Sequence, residues 1–169
     1  TPSNLNVGTL TGQLGSSNVT VTTASGLGAA GDITVNNPIT YNSGFNLNLA
    51  ANRNITLNAG SGITNTGAGA LTLAGGGAGA IAINESISTN GGTITLTSGT
   101  GGVTLANAKS INAGTGLIAL NAGAGAVNLG TGTLQSSNTT AAAIGVTNAT
   151  TIALGNVAPG RRLGPALLL

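Results

Sequence analysis

Short units of the form apolar–x–apolar recur along this chain at a fixed spacing, and few folds accept such a pattern. They read Ile33-Thr34-Val35, Leu47-Asn48-Leu49, Ile55-Thr56-Leu57, Leu71-Thr72-Leu73, Ile81-Ala82-Ile83, Ile94-Thr95-Leu96, Val103-Thr104-Leu105, Ile118-Ala119-Leu120, Val127-Asn128-Leu129, Ile144-Gly145-Val146 and Ile152-Ala153-Leu154. Weaker units with one large apolar residue lie between some of them, at Ile39, Ile63, Ile87, Ile111 and Leu134. The units fall into triplets. One class starts at Ile33, Ile55, Ile81, Val103, Val127 and Ile152, and another at Leu47, Leu71, Ile94, Ile118 and Ile144, with the single-residue class between them. Residue 33 to residue 152 is 119 residues over five steps, about 24 per step.

Alternation at period two puts Ile, Val and Leu on one face of a strand and Thr, Asn or Ala on the other. Three such strands per step, joined by short Gly-, Ala-, Asn- and Ser-rich corners, predict an all-β solenoid: a parallel β-helix of about six to seven rungs. Each strand then pairs with its equivalent one rung away, at roughly 4.8 Å. A single rung buries too few aliphatics to offset the ordering of its backbone, so the rungs must stack. Residues 1–156 form the expected repeat domain. Its irregular first rung, 1–31, combines Leu5-Asn6-Val7, Leu10, Leu14 and Val19-Thr20-Val21 with a Gly/Ala/Ser loop from Ala24 to Gly31. Residues 157–169 form a non-repeat tail, including Arg161-Arg162 and the short apolar end Ala166-Leu167-Leu168-Leu169, too short to span a bilayer.

Composition decides against the competing folds. A β-sandwich fills a slab ~10 Å thick with large, often aromatic residues, whereas this chain has one Tyr and one Phe, Tyr41 and Phe45. Disorder goes with few aliphatic residues, and here they recur in register. Cysteine is absent, which is compatible with export. The chain opens Thr1-Pro2-Ser3, as a mature protein or an excised fragment does. A net charge of +2 with no basic stripe and no interleaved aromatics leaves nucleic acid without a footprint.

The order and spacing of Asn18-Val-Thr-Val-Thr-Thr, Gly31-Asp-Ile-Thr-Val-Asn, Asn46-Leu-Asn-Leu-Ala-Ala-Asn-Arg-Asn-Ile-Thr-Leu-Asn-Ala and Ala70-Leu-Thr-Leu resemble the repeat region of filamentous-haemagglutinin-like adhesins. These are bacterial exoproteins exported by two-partner secretion, with autotransporter passengers as structural cousins. The likeness covers roughly residues 4–156. It implies a right-handed β-helix, secretion, and a place outside the cell or at its surface. The spacing itself says nothing of handedness. No secretion-signal domain is recognisable, and the tail matches nothing in the repeats. Some such adhesins carry glycans on Asn-x-Ser/Thr sequons, which occur here at Asn18, Asn54, Asn84, Asn138 and Asn148. Several are expected by chance in a chain this rich in Asn, Ser and Thr.

Side chains for chemistry are scarce. With no His and no Cys, the usual nucleophile–base pairs and zinc sites have no residues to build them. The carboxylates are Asp32 and Glu85. They are expected about two rungs apart at different corners, unlike the paired carboxylates of a glycosidase. Gly75-Gly76-Gly77-Ala78-Gly79 lacks the Asp of a calcium-binding β-roll, and no P-loop spacing occurs. The outward positions of the two stronger strand classes alternate Thr, Asn, Ala and Gly, so neither makes a continuous Thr ladder of the ice-binding kind. The expectation is a chain without catalytic, cofactor or metal site. The leading reading is a stalk segment of an adhesin; the alternative is an extracellular filament or matrix subunit stacking end to end. Expected partners are further rungs or identical subunits, and a host or surface receptor. A carbohydrate-degrading β-helix is a third option.

Overall fold

The computed structural model describes residues 3–24, 30–140 and 143–154. A short helix, α1 (Val7–Leu14), and one strand, β1 (Val19–Thr22), precede five complete three-strand turns. The turns are β2 (Ile33–Val35), β3 (Ile39–Tyr41) and β4 (Leu47–Ala51); β5 (Ile55–Leu57), β6 (Ile63–Asn65) and β7 (Leu71–Gly75); β8 (Ile81–Ile83), β9 (Ile87–Thr89) and β10 (Ile94–Thr97); β11 (Val103–Leu105), β12 (Ser110–Asn112) and β13 (Ile118–Asn121); and β14 (Ala126–Asn128), β15 (Thr133–Gln135) and β16 (Ile144–Thr147). One strand of a further turn, β17 (Thr151–Ala153), follows. All pairing is parallel, and three sheets result: β1-β4-β7-β10-β13-β16, β2-β5-β8-β11-β14-β17 and β3-β6-β9-β12-β15. The fold is the β-solenoid that the 24-residue step predicts, with fewer turns than the six to seven expected.

The triplet classes become columns. Ile33, Ile55, Ile81, Val103, Val127 and Ile152 are consecutive ladder partners in one sheet. In another, Val19 stands over Leu47, followed by Leu71, Ile94, Ile118 and Ile144. The middle members of both columns are fully buried, whereas Ile33, Ile144 and Ile152 at the ends are only partly so. A slip of one residue would turn every aliphatic to the outside, so the buried columns fix the register.

The third sheet carries one aliphatic per strand because its second inward position belongs to a corner. Tyr41, Asn65 and Thr89 are ladder partners there. Asn65 is buried, accepts from the Ser43 and Gly67 amides through Oδ1, and donates through Nδ2 to the Ser43 and Gly69 carbonyls. Thr89 Oγ1 donates to Gly92 O at 2.5 Å. These bonds satisfy the main chain where it leaves the ladder, which an aliphatic side chain cannot do.

Rung stacking also explains glycine at the bends. A Cβ at Gly69 would overlap the Phe45 carbonyl oxygen, one at Gly92 that of Gly69, and one at Gly116 that of Gly92. Close approach of successive turns, rather than an unusual φ, sets this column.

The start of the chain departs from expectation. Leu5-Asn6-Val7 is not a strand; the segment from Val7 to Leu14 is α1. Asn6 caps it, its Oδ1 accepting from Thr9 N at 3.3 Å. Leu10 and Leu14 stand at i and i+4 on one face and are both buried. Period two fits Leu5-Asn6-Val7, but the spacing of Leu10 and Leu14 has the helical period, and the cap decides it. Val19-Thr20-Val21 does form a strand, in register with Leu47-Asn48-Leu49. The Ala24–Gly31 loop and the 157–169 tail lie largely or wholly outside the described residues.

Candidate functional site

The charged residues within the described segments form two pairs, each joining one turn to the next. Arg53 donates from Nε and Nη2 to Asp32 Oδ1 and Oδ2, at 2.9 and 2.7 Å. Asp32 Oδ1 also accepts from Asn54 N. The guanidinium and this amide hold the Asp32 carboxyl down, from its ordinary 3.8 to about 2. Lys109 Nζ donates to Glu85 Oε1 at 2.7 Å, and the same carboxylate accepts from Ser86 N and Gly60 N. The ammonium first, then the two amides, lower Glu85 from 4.5 to about 2. Both groups are therefore anions at neutral pH, and each accepts three hydrogen bonds.

Their places follow from topology. Asp32 precedes β2 and Glu85 follows β8, so they occupy different corners, two turns apart. The partners lie 21 and 24 residues further on, close to one step of the repeat. The period alone was enough to find both pairs.

Amide side chains act in the same way. Asn18 Oδ1 accepts from Asn46 N, and Asn46 Oδ1 from Ala70 N, both at 2.8 Å. In the neighbouring sheet Asp32 accepts from Asn54 N and Asn54 Oδ1 from Ala80 N, at 2.9 Å each. The residue just before a strand thus extends the backbone ladder to the next turn by one side-chain bond. Four of the sequon residues, Asn18, Asn54, Asn138 and Asn148, bond neighbouring turns through their side chains. Asn138 donates from Nδ2 to Thr115 O at 2.8 Å, and Asn148 from Nδ2 to Asn121 Oδ1 at 3.1 Å. In both, the nitrogen a glycan would attach to is already engaged with the previous turn. Asn18 and Asn148 are exposed; Asn54, Asn84 and Asn138 are half-buried. Sequence reasoning treated these asparagines as acceptors for modification and missed the staircase; asparagine immediately before an apolar–x–apolar unit is the signal for it.

At the first turn, a cleft of about 850 Å³ opens beside α1, with Leu5, Val7, Leu10, Val21, Ile33 and Val35 among its walls. Among the described residues, β2 has a parallel partner on one side only, β5. At the other end β15, β16 and β17 are likewise the last strands of their sheets. No group of three His, Cys, Asp or Glu side chains capable of holding a metal occurs among the described residues. None of their helices is long and apolar enough to cross a membrane.

No family model, curated protein or solved structure matches this chain.

Proposed function

We propose that this chain is a structural stalk segment of a secreted or surface-exposed bacterial adhesin, of the filamentous-haemagglutinin-like, two-partner-secretion kind, and that its work is mechanical rather than catalytic. The observation supporting this is the stapling of successive turns: besides the backbone ladders, bonds from Asp32, Asn54, Glu85 and Asn138 each cross from one turn to another. Side chains that elsewhere would serve a ligand here hold a rod together. Five steps of the six-stranded sheets span about 24 Å at a rung spacing near 4.8 Å, and the same cross-section extends by adding turns. Such a rod holds a receptor-binding region away from the surface that carries it.

One observation favours a second reading, a filament or matrix subunit that adds copies at its end. Leu134, Ile144 and Ile152, in the last strands of the three sheets among the described residues, are only partly buried, unlike their fully buried counterparts two turns earlier. Mass analysis and electron microscopy of the natural material distinguish the two. One long polypeptide containing these turns, seen as thin rods, is the result expected of a stalk. Short subunits laid end to end would overturn that reading in favour of the filament.

A further inference from the structure

We infer that α1 is a stop built into the solenoid, closing its first turn against stacking by another solenoid. The helix packs on β3 and β1, the first strands of two of the three sheets. It sinks Leu10 and Leu14 into the same core that runs through the turns. Leu14 is fully buried and Leu10 nearly so, so the helix is a plug rather than an appendage.

The geometry makes the plug an obstacle. A stacked turn must bring its strands to within ~4.8 Å of the strands below. A helix with its side chains is ~10–12 Å across. With α1 seated over β3, an incoming turn is held about one rung too far away to pair on that side. A three-sided turn cannot pair with β1 and β2 alone without leaving its third strand unsupported. Every junction of a head-to-tail filament uses one N-terminal end, so a chain with α1 in place cannot make such a filament. The inference rests on the fold and opposes the head-to-tail form of the second reading above; the stalk reading stands or falls separately, on the length of the natural polypeptide.

The test compares the full chain with two variants by light scattering across a wide concentration range. Leu10→Lys/Leu14→Lys removes the apolar plug. Thr11→Pro breaks the helix without touching its buried leucines. Gln13→Lys, on an exposed α1 position, is the control. The wild type and control are expected to stay at or below two copies. Either uncapped variant, with its parallel-sheet spectrum retained, is expected to show at least a doubling of mass at equal concentration. Unlimited growth of the wild type would overturn the inference, as would folded uncapped variants of unchanged mass. Unfolding of both variants would also overturn it, by showing that the turns do not hold together without α1.

Discussion

Glu85 Oε1 lies 2.7 Å from Lys109 Nζ, one turn further along the solenoid, while Glu85 Oε2 accepts from Gly60 N, one turn back. A single carboxylate therefore joins three turns. Its pKa of about 2 in the folded state lies below the ordinary 4.5, so its contribution is fully present above about 4.5 and is lost as pH falls toward 2. Asp32, lowered from 3.8 to about 2 by Arg53, acts with the same sign. Denaturant unfolding at a series of pH values is expected to show stability falling between about pH 4.5 and 2. The fall is expected to be shallower in Glu85→Gln and Asp32→Asn, since neither amide titrates.

Tyr41 behaves oppositely. Burial pushes its phenol from 10.0 up to about 12, and its hydroxyl is buried without a hydrogen-bond partner. The unfolded chain ionises first, so stability present below pH 10 is lost as pH rises from 10 toward 12. The chain has one Tyr, so its absorbance reports the site alone. Titration is expected to lag free tyrosine until the protein unfolds. Tyr41→Phe is expected to cost little at neutral pH, because it removes an unsatisfied group, and to abolish the alkaline loss.

Two glycines separate close approach from backbone conformation. A Cβ at Gly92 would overlap the Gly69 carbonyl oxygen, whereas Gly60 has φ +80 and open space around it. Gly92→Ala must spread two turns, at a cost of about 3 kcal/mol; Gly60→Ala carries only a left-handed residue's penalty, about 1 kcal/mol. Thermal unfolding of the two variants, compared side by side, checks the order.

The buried amide of Asn65 gives a further prediction. Asn65→Leu leaves the Ser43 and Gly67 amides and the Ser43 and Gly69 carbonyls without that partner. The Gly69 carbonyl is buried and the Ser43 and Gly67 groups partly so; an unmade bond at a buried group costs ~1–3 kcal/mol, so the variant is expected to be destabilised although it adds an aliphatic to the core. Ile63→Ala, two residues away on the same strand and fully buried, is expected to cost ~2–5 kcal/mol by cavity formation. Chemical denaturation of both reads the outcome.

These residues also show what the sequence makes legible. The columns through Ile55, Ile81 and Val103 are visible because period two and the 24-residue step both act on large aliphatics, whose burial dominates the energy. Asn65 is hidden because a polar residue inside a core is defined by the corner it bonds, not by its neighbours in sequence. The helix at Val7–Leu14 replaces the expected strand because three residues of alternation at Leu5-Asn6-Val7 carry less weight than one cap and two leucines at helical spacing. The ion pairs are legible from the same step, since charges one step apart in a solenoid fall on adjacent turns.

The account depends most on the sheet that runs from β2 to β17 with one strand per turn. The chain has no Cys, so spin labels attach cleanly at outward positions of that sheet. Thr34 paired with Asn128 spans four steps, and Thr34 paired with Ala153 spans five. Electron–electron distances near 19 and 24 Å, growing by about 4.8 Å per step, are the predicted result. A separation that does not grow with the number of turns, or a shorter distance for the longer pair, would contradict the stacking on which every other conclusion rests.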